Sequence, residues 1–256
     1  MGQTQLDKEA KFQDDKIKGL SKRTEGKFYH GPAARYRIAF IDDLMGDIKG
    51  KKVLDLGAGN GWNTVQLLEK GAYVWAIDIS PESIRHIDER AAQYKENGFY
   101  CGRVMDAADM DYEDNTFDLV VGHGILHHIL NYEKTIPEIL RVLKPGGRAI
   151  FNEPLGINPF INCYRRLTPR SRTEDERPLS TKDIALIRQL DPVLKCYFFE
   201  LFTLLSKPLI LLKQNKLANK LEAFMVRADR ALLRSRSEKL SFFQKMAWFI
   251  VLDLKK

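Results

Sequence analysis

The stretch VLDLGAGNGWNT, Val53 to Thr64, constrains this chain more than any other. A short apolar run, interrupted only by Asp55, gives way to three glycines at every second position, Gly57, Gly59 and Gly61, and a helical pattern starts at Trp62. Four residues are too few for a helix and suit a buried strand. Glycines at its end strip the turn of side chains, so that backbone can approach a ligand and the first N–H groups of the next helix can face it. A strand, a bare turn and a helix together make the first half of a parallel βαβ unit, and the rest of the chain should then alternate in the same way.

It does. YVWAID (73–78) reads as a second strand, followed by a helix from Pro81 to about Asn97, then YCGRVM (100–105) and FDLVVG (117–122) as strands. A helix over roughly 133–143 leads into GRAIFNE (147–153). Ser80-Pro81-Glu82 supplies an N-cap hydroxyl, a preset φ at the first helical position and an anion in the first turn. Lys144-Pro145-Gly146-Gly147 ends a helix, because proline cannot continue it and glycine takes the left-handed position. These signals specify an α/β fold with a doubly wound sheet. Residues 193–202 and 246–254 read as sixth and seventh strands. Before the first strand, 5–20 and AARYRIAFIDDLMG read as helices, and 1–48 are assigned to an N-terminal helical lid over a core of 49–256. A helical insertion at about 203–240 separates the last two strands.

Composition excludes more than it selects. The net charge of +7 comes from 41 basic and 34 acidic residues, a mixed surface rather than a polybasic one, so nucleic acid is not expected as a partner. Cys101, Cys163 and Cys196 lie far apart without metal-site spacing, which fits a reducing compartment. The polar start MGQTQLDKEAKF is no secretory signal, and Leu6 stands where a myristoylation pattern needs Ser or Thr. The most apolar stretch, YFFELFTLLSKPLILL (197–212), is interrupted by Glu200, Lys207 and Pro208 and does not span a membrane. The expected location is cytoplasmic, with peripheral membrane contact as the alternative.

In a doubly wound sheet the ligand lies beyond the carboxyl ends of the strands where the strand order reverses. Asp78 ends the second strand, 21 residues after Gly57, where a carboxylate can accept both hydroxyls of a ribose. The ligand is therefore expected to be a nucleoside. Its glycines run G-x-G-x-G rather than the dinucleotide G-x-G-x-x-G, and Asp55 would repel a pyrophosphate but suit an ammonium or sulfonium. That favours S-adenosylmethionine over NAD.

With these motifs in place, the sequence resembles the class I S-adenosylmethionine-dependent methyltransferases, in particular their small-molecule, type 11-like branch. VLDLGAGNG is similar to the family's glycine-rich motif, AIDIS to its ribose-binding strand end, MDAADMDYEDNTFDLVV to its acidic loop and fourth strand, LHHI to the segment beyond, and RVLKPGGRAIFNEP to its fifth strand. The resemblance covers about residues 50–155. It implies a Rossmann-like, seven-stranded, mostly parallel sheet, and a cofactor site in which Gly57, Ala58, Gly59, Asn60 and Gly61 line the methionine and ribose, with Asp55 near the amino group. It also implies Asp78 on the ribose, Ile79 against the adenine, Asp106 on the adenine amino group, and contacts from Ala107 and Gly122. Met105 departs from the pattern, standing where many relatives have glycine.

For the chemistry, His123, His127 and His128 cluster just after the fourth strand and are the candidate bases, His123 first; the competing reading has His127 and His128 capping a short helix. A metal is not expected, since Gly124 and His127 occupy the positions where some relatives carry the two glutamates of an E-x-x-E-H set. Tyr29 and His30 are candidates to close over the cofactor. Glu153 either faces the acceptor or caps the following turn, and Arg165, Arg166, Arg170 and Arg172 either hold an anion or pair with the adjacent TEDER. Leu217, Leu221, Phe224, Ala228 and Leu232 form an apolar stripe, read as packing over one end of the sheet; the alternative is an apolar lid lying on a membrane by its basic face. The expected function is methyl transfer to a small, hydrophobic or lipid-like acceptor. The alternatives are a nucleic-acid methyltransferase, disfavoured because VVGHG replaces the D/N-P-P-Y/F signature, and a non-catalytic cofactor-binding protein at a membrane surface.

Overall fold

Strand β1 (Lys52–Leu56) buries every residue after its first, because helices cover both faces of the sheet it belongs to. A computed structural model describes residues 3–20, 31–129, 132–159, 161–162, 177–206, 209, 214–233 and 240–256. Seven strands run in the order β3-β2-β1-β4-β5-β7-β6, with β2 at Tyr73–Asp78, β3 at Tyr100–Val104, β4 at Phe117–His123, β5 at Leu143–Pro154, β6 at Lys195–Phe199 and β7 at Phe249–Lys255. All neighbours are parallel except β7, which pairs antiparallel with both β5 and β6. This is the expected doubly wound, mostly parallel sheet. The order reverses between β1 and β4, and a crevice opens there.

Alternation along the strands divides the core in two. Leu54, Leu56, Val120, Phe151, Ile250 and Leu252 point to one face, where they meet Ile136 and Ile139 of α6 (Tyr132–Val142) and Ile184 and Ile187 of α7 (Thr181–Leu190). Val53, Val74, Leu119, Val121, Ile150 and Val251 point to the other. There they meet Ile41 of α2 (Pro32–Met45), Leu67 and Leu68 of α3 (Trp62–Glu69), and Ile84 and Ile87 of α4 (Pro81–Arg90). The helix expected over 81–97 breaks after Arg90 into α4 and a short α5 (Ala92–Glu96). β5 begins four residues before the expected position, since Leu143 already pairs with Phe117 ahead of the irregularity between Phe117 and Leu119.

Two elements outside the alternation lie at the carboxyl end of the sheet. Helix α1 (Gln3–Leu20) docks on the start of α4, where Asp14 accepts from the Ser80 hydroxyl and, at 3.4 Å, from the Glu82 N–H. Between β6 and β7 lie a 3₁₀ turn (Phe202–Ser206), α8 (Asn215–Leu232) and α9 (Phe242–Lys245). The apolar stripe of α8 was expected to face inward; the structure turns it out. Ala218, Glu222 and Asp229 are buried, while Leu217 and Phe224 are 54% and 72% exposed. The cause lies in open backbone donors beneath the helix. Asp229 accepts from the N–H groups of Leu201 (3.0 Å) and Phe202 (2.8 Å) at the head of the 3₁₀ turn. Glu222 accepts from the Ser206 hydroxyl (2.8 Å) and the Ala33 N–H (3.5 Å) at the head of α2. Each of these donors would cost about 1–3 kcal/mol if buried unmet, and the polar face of α8 meets them.

Candidate active site

The turn after β1 holds its shape through main-chain bonds. The N–H groups of Gly57 and Ala58 both donate to the Ile77 carbonyl, at 2.8 and 3.0 Å, which stitches the turn to the end of β2. Gly57 and Gly61 need to be glycine twice over: both take positive φ (66° and 73°), and a Cβ would run into Ile125 at 2.5 Å or Ile87 at 2.6 Å. Asp78 completes the loop, accepting from the Gly59 N–H (2.8 Å) with one oxygen and from the Ser80 N–H (2.9 Å) with the other.

Beside this turn, at the reversal of strand order, lies a cavity of about 360 Å³. Of the residues singled out by sequence, Gly57, Gly59, Asp78, Ile79, Asp106, Ala107, His123 and His128 line it. Asp106 anchors its Oδ1 on the Ala108 N–H at 2.9 Å, and Met105 also contributes to the wall. The departure from the family pattern thus stands in the cavity itself.

Other expected residues sit behind the wall. Asp55 is buried and both its oxygens are taken, by the Asn63 amide (2.8 Å) and the Thr64 hydroxyl (2.6 Å), so it ties α3 to β1 rather than reaching the cavity. Burial pushes its pKa up to about 6, against the pull of those two donors. Ala58 and Gly61 shape the turn; Asn60 accepts from the Trp62 N–H at 3.1 Å; Gly122 lets Ile125 and Phe151 pack where a Cβ would meet them. Tyr29, His30 and the four clustered arginines lie outside the described residues.

The three histidines take three different roles in the geometry. His123 is half-buried in the cavity wall, with its ring edge-on to Trp62 and Nδ1 3.3 Å from the Asn152 amide. Burial first, then the positive Arg37, push it down to about 4, so its ring is neutral near pH 7. His127 points away from the cavity and pairs through Nδ1 with Glu153 at 2.7 Å. Glu153, fully buried, also accepts from the N–H groups of Ile125, Leu126 and His127 at 2.9, 2.9 and 3.3 Å. His127 thus takes the capping place in the short 3₁₀ turn Leu126–His128, while Glu153 caps neither the turn that follows it nor the acceptor side: it fastens this earlier turn, 26 residues before it, to the end of β5. His128 faces the cavity, with Nδ1 3.0 Å from a Glu9 oxygen.

Sequence reasoning missed Glu9 and Gln13, which stand four apart on α1 and present one helix face to the cavity, and Lys134 and Thr135 in the first turn of α6. The helical spacing of 9 and 13 was readable, but nothing local says which face of a charged helix turns inward. Among the described residues no cluster of His, Cys, Asp and Glu could hold a metal.

Residues 54–151 match the family model of the methyltransferase domain. These residues are a class I S-adenosylmethionine-dependent methyltransferase domain. The chain is 31% identical over 127 residues to a demethylmenaquinone methyltransferase of Tropheryma whipplei, a match covering 48% of this chain and 52% of that protein. The chain thus spans about half the length of the curated relatives it matches. Among solved structures, phosphoethanolamine N-methyltransferase 2 of Haemonchus contortus superposes with a TM-score of 0.62 at 18% identity, over 95% of this chain and 57% of that one. Geranyl diphosphate C-methyltransferase of Streptomyces coelicolor superposes with 0.61 at 12% identity, over 99% and 98%. The likeness of fold thus extends beyond residues 54–151 to the whole sheet.

Proposed function

We propose that this protein transfers a methyl group from S-adenosylmethionine to a small, hydrophobic acceptor. The observation that carries the reading is the set of groups around one cavity: bare backbone at Gly57 and Gly59, carboxylates at Asp78 and Asp106, and neutral imidazole at His123. That set fits the cofactor. A carboxylate at the end of the second strand suits ribose hydroxyls, a second beyond the third strand suits an exocyclic amine, and Ile79 and Met105 offer apolar surface for a flat base. Bound there, S-adenosylmethionine would supply an electrophilic methyl on a sulfonium.

The chain's own residues then have separable tasks. Asp78 and Asp106 orient the nucleoside, and Asp55 holds the turn from behind. Alignment and exclusion of water are the main contributions expected, worth roughly 7–11 kcal/mol of barrier in well-oriented reactions. Ile125 and Ile129 line the cavity on the side of the histidines and favour an apolar acceptor. His123 and His128 stand where an acidic proton of that acceptor could be taken up. Helix α1 acts as the lid, with Glu9 and Gln13 closing one side of the cavity. A demethylmenaquinone methyltransferase and a ubiquinone biosynthesis O-methyltransferase among the relatives support a lipid-like acceptor.

Calorimetric titration with S-adenosylmethionine, S-adenosylhomocysteine and NAD tests this reading. Micromolar binding of the two sulfur ligands, abolished in Asp78→Ala, is expected, with no heat from NAD. Folded protein that binds neither sulfur ligand would overturn the proposal.

A further inference from the structure

The outward face of α8 joins two features that ordinary protein surfaces keep apart. Six of the ten large hydrophobic residues exposed among the described ones fall between Leu205 and Phe243, and Leu205, Phe224 and Phe242 are each more than half exposed, at 62%, 72% and 71%. The same region carries the charge. Residues 201–250 hold ten Lys and Arg against three Asp and Glu, and the remaining residues hold 31 of each, so the entire surplus of +7 originates there. Two of the three acids, Glu222 and Asp229, face inward and do not offset it at the surface.

On a helix of 3.6 residues per turn, Leu217, Leu221, Phe224 and Ala228 form one stripe, and Lys216, Lys220 and Arg227 form a row directly alongside it. These three basic residues are exposed and make no ion pair among the described residues. An apolar stripe flanked by a basic row is how a helix lies in the plane of a bilayer interface. The placement agrees. Phe249 at the start of β7 pairs with Phe199 at the end of β6 and with Pro154 at the end of β5, so the segment between β6 and β7 leaves and returns at the carboxyl end of the sheet. That is the end that carries the cavity.

We propose that α8 is an in-plane anchor that docks the cavity-bearing end of the protein onto an anionic lipid surface. A second copy of the chain fits less well, because an isologous contact would set one positive surplus against another. A nucleic acid would engage the basic row but leave Leu217 and Phe224 in water. Among the described residues no helix is long and apolar enough to cross a membrane, and the contact assigned to α8 is a peripheral one.

Flotation of the full chain with vesicles of phosphatidylcholine, with and without phosphatidylserine, tests the anchor, and the readout needs no turnover. Binding is expected only with phosphatidylserine and should weaken with added salt. Lys220→Gln with Arg227→Gln should weaken it about 25-fold, at about five-fold per charge, and Phe224→Ser about ten-fold. Because all three side chains point outward, affinity for S-adenosylmethionine and the thermal midpoint should stay unchanged, which separates a lost anchor from a lost fold. Absence of binding to phosphatidylserine vesicles would overturn the proposal, as would equal binding to both kinds. So would Phe224→Ser converting a dimer to a monomer without changing flotation, or RNA binding that outlasts vesicle binding as salt rises.

Discussion

Replacing Glu153 by Gln changes almost no volume but removes a charge from a site with no solvent. The carboxylate accepts four hydrogen bonds, three of them at 2.7–2.9 Å. In the lower-cost orientation of the new amide, its oxygen keeps the Ile125 and Leu126 N–H groups and its nitrogen turns to His127. The ring can switch tautomer and accept there, but the His127 backbone N–H, 3.3 Å from the lost oxygen, is left facing a donor. Three charge-assisted bonds become neutral ones, each weaker by about 1 kcal/mol, and the relief of a buried charge offsets part of that. The net loss should be about 2–3 kcal/mol, a fall in midpoint of about 5–10 °C for a chain of this size. Thermal and urea denaturation measure it. A double-mutant cycle with His127→Phe should show coupling of about 1 kcal/mol or more. The turn it fastens carries Ile125 and His128 into the cavity wall, so cofactor affinity should weaken as well. A Gln variant as stable as the parent but without turnover would refute the argument and place Glu153 against the acceptor.

Other consequences follow from the remaining buried charges. Glu200, at positive φ (63°), pairs with Arg37, which is 3% exposed and stacks 3.7 Å above Phe249. Glu200→Gln should destabilise by about 3–5 kcal/mol in urea unfolding, with Arg37→Met restoring most of it; a loss under about 1 kcal/mol would sink this account. Asp55 and His123 should impose opposite pH dependences. Asp55 is raised in the folded state, so its contribution is present below pH 4 and is lost as pH rises through about 6. His123 is lowered, so its contribution is present above its ordinary value and is lost as pH falls through about 4. Asp55→Asn should therefore appear about 3 kcal/mol less damaging at pH 7 than at pH 4, and His123→Gln should show the reverse trend, of similar size before allowing for its partial exposure. Stability differences that do not move with pH would refute both assignments.

What the sequence determined by itself is whatever repeats locally. Apolar runs of four to six residues, the glycines at 57, 59 and 61, the Ser80-Pro81 cap and the Pro145-Gly146 stop each act within a few residues, and together they specify a doubly wound sheet and a ligand at its strand reversal. The same locality made Gly57, Gly59, Asp78 and Asp106 legible as a group, since strand ends in such a sheet converge on one crevice. Tertiary structure decided everything that depends on a partner distant in sequence. Asp55 turned to Thr64 and Asn63, and Glu153 turned to a turn 26 residues before it. Glu9 and Gln13 reached a cavity built from residues more than forty positions away. Helix α8 shows the physical reason most plainly. Its hydrophobic period marks one face for burial, yet the donors that Leu201, Phe202 and Ala33 leave open lie under the other, and each would cost about 1–3 kcal/mol if buried unmet.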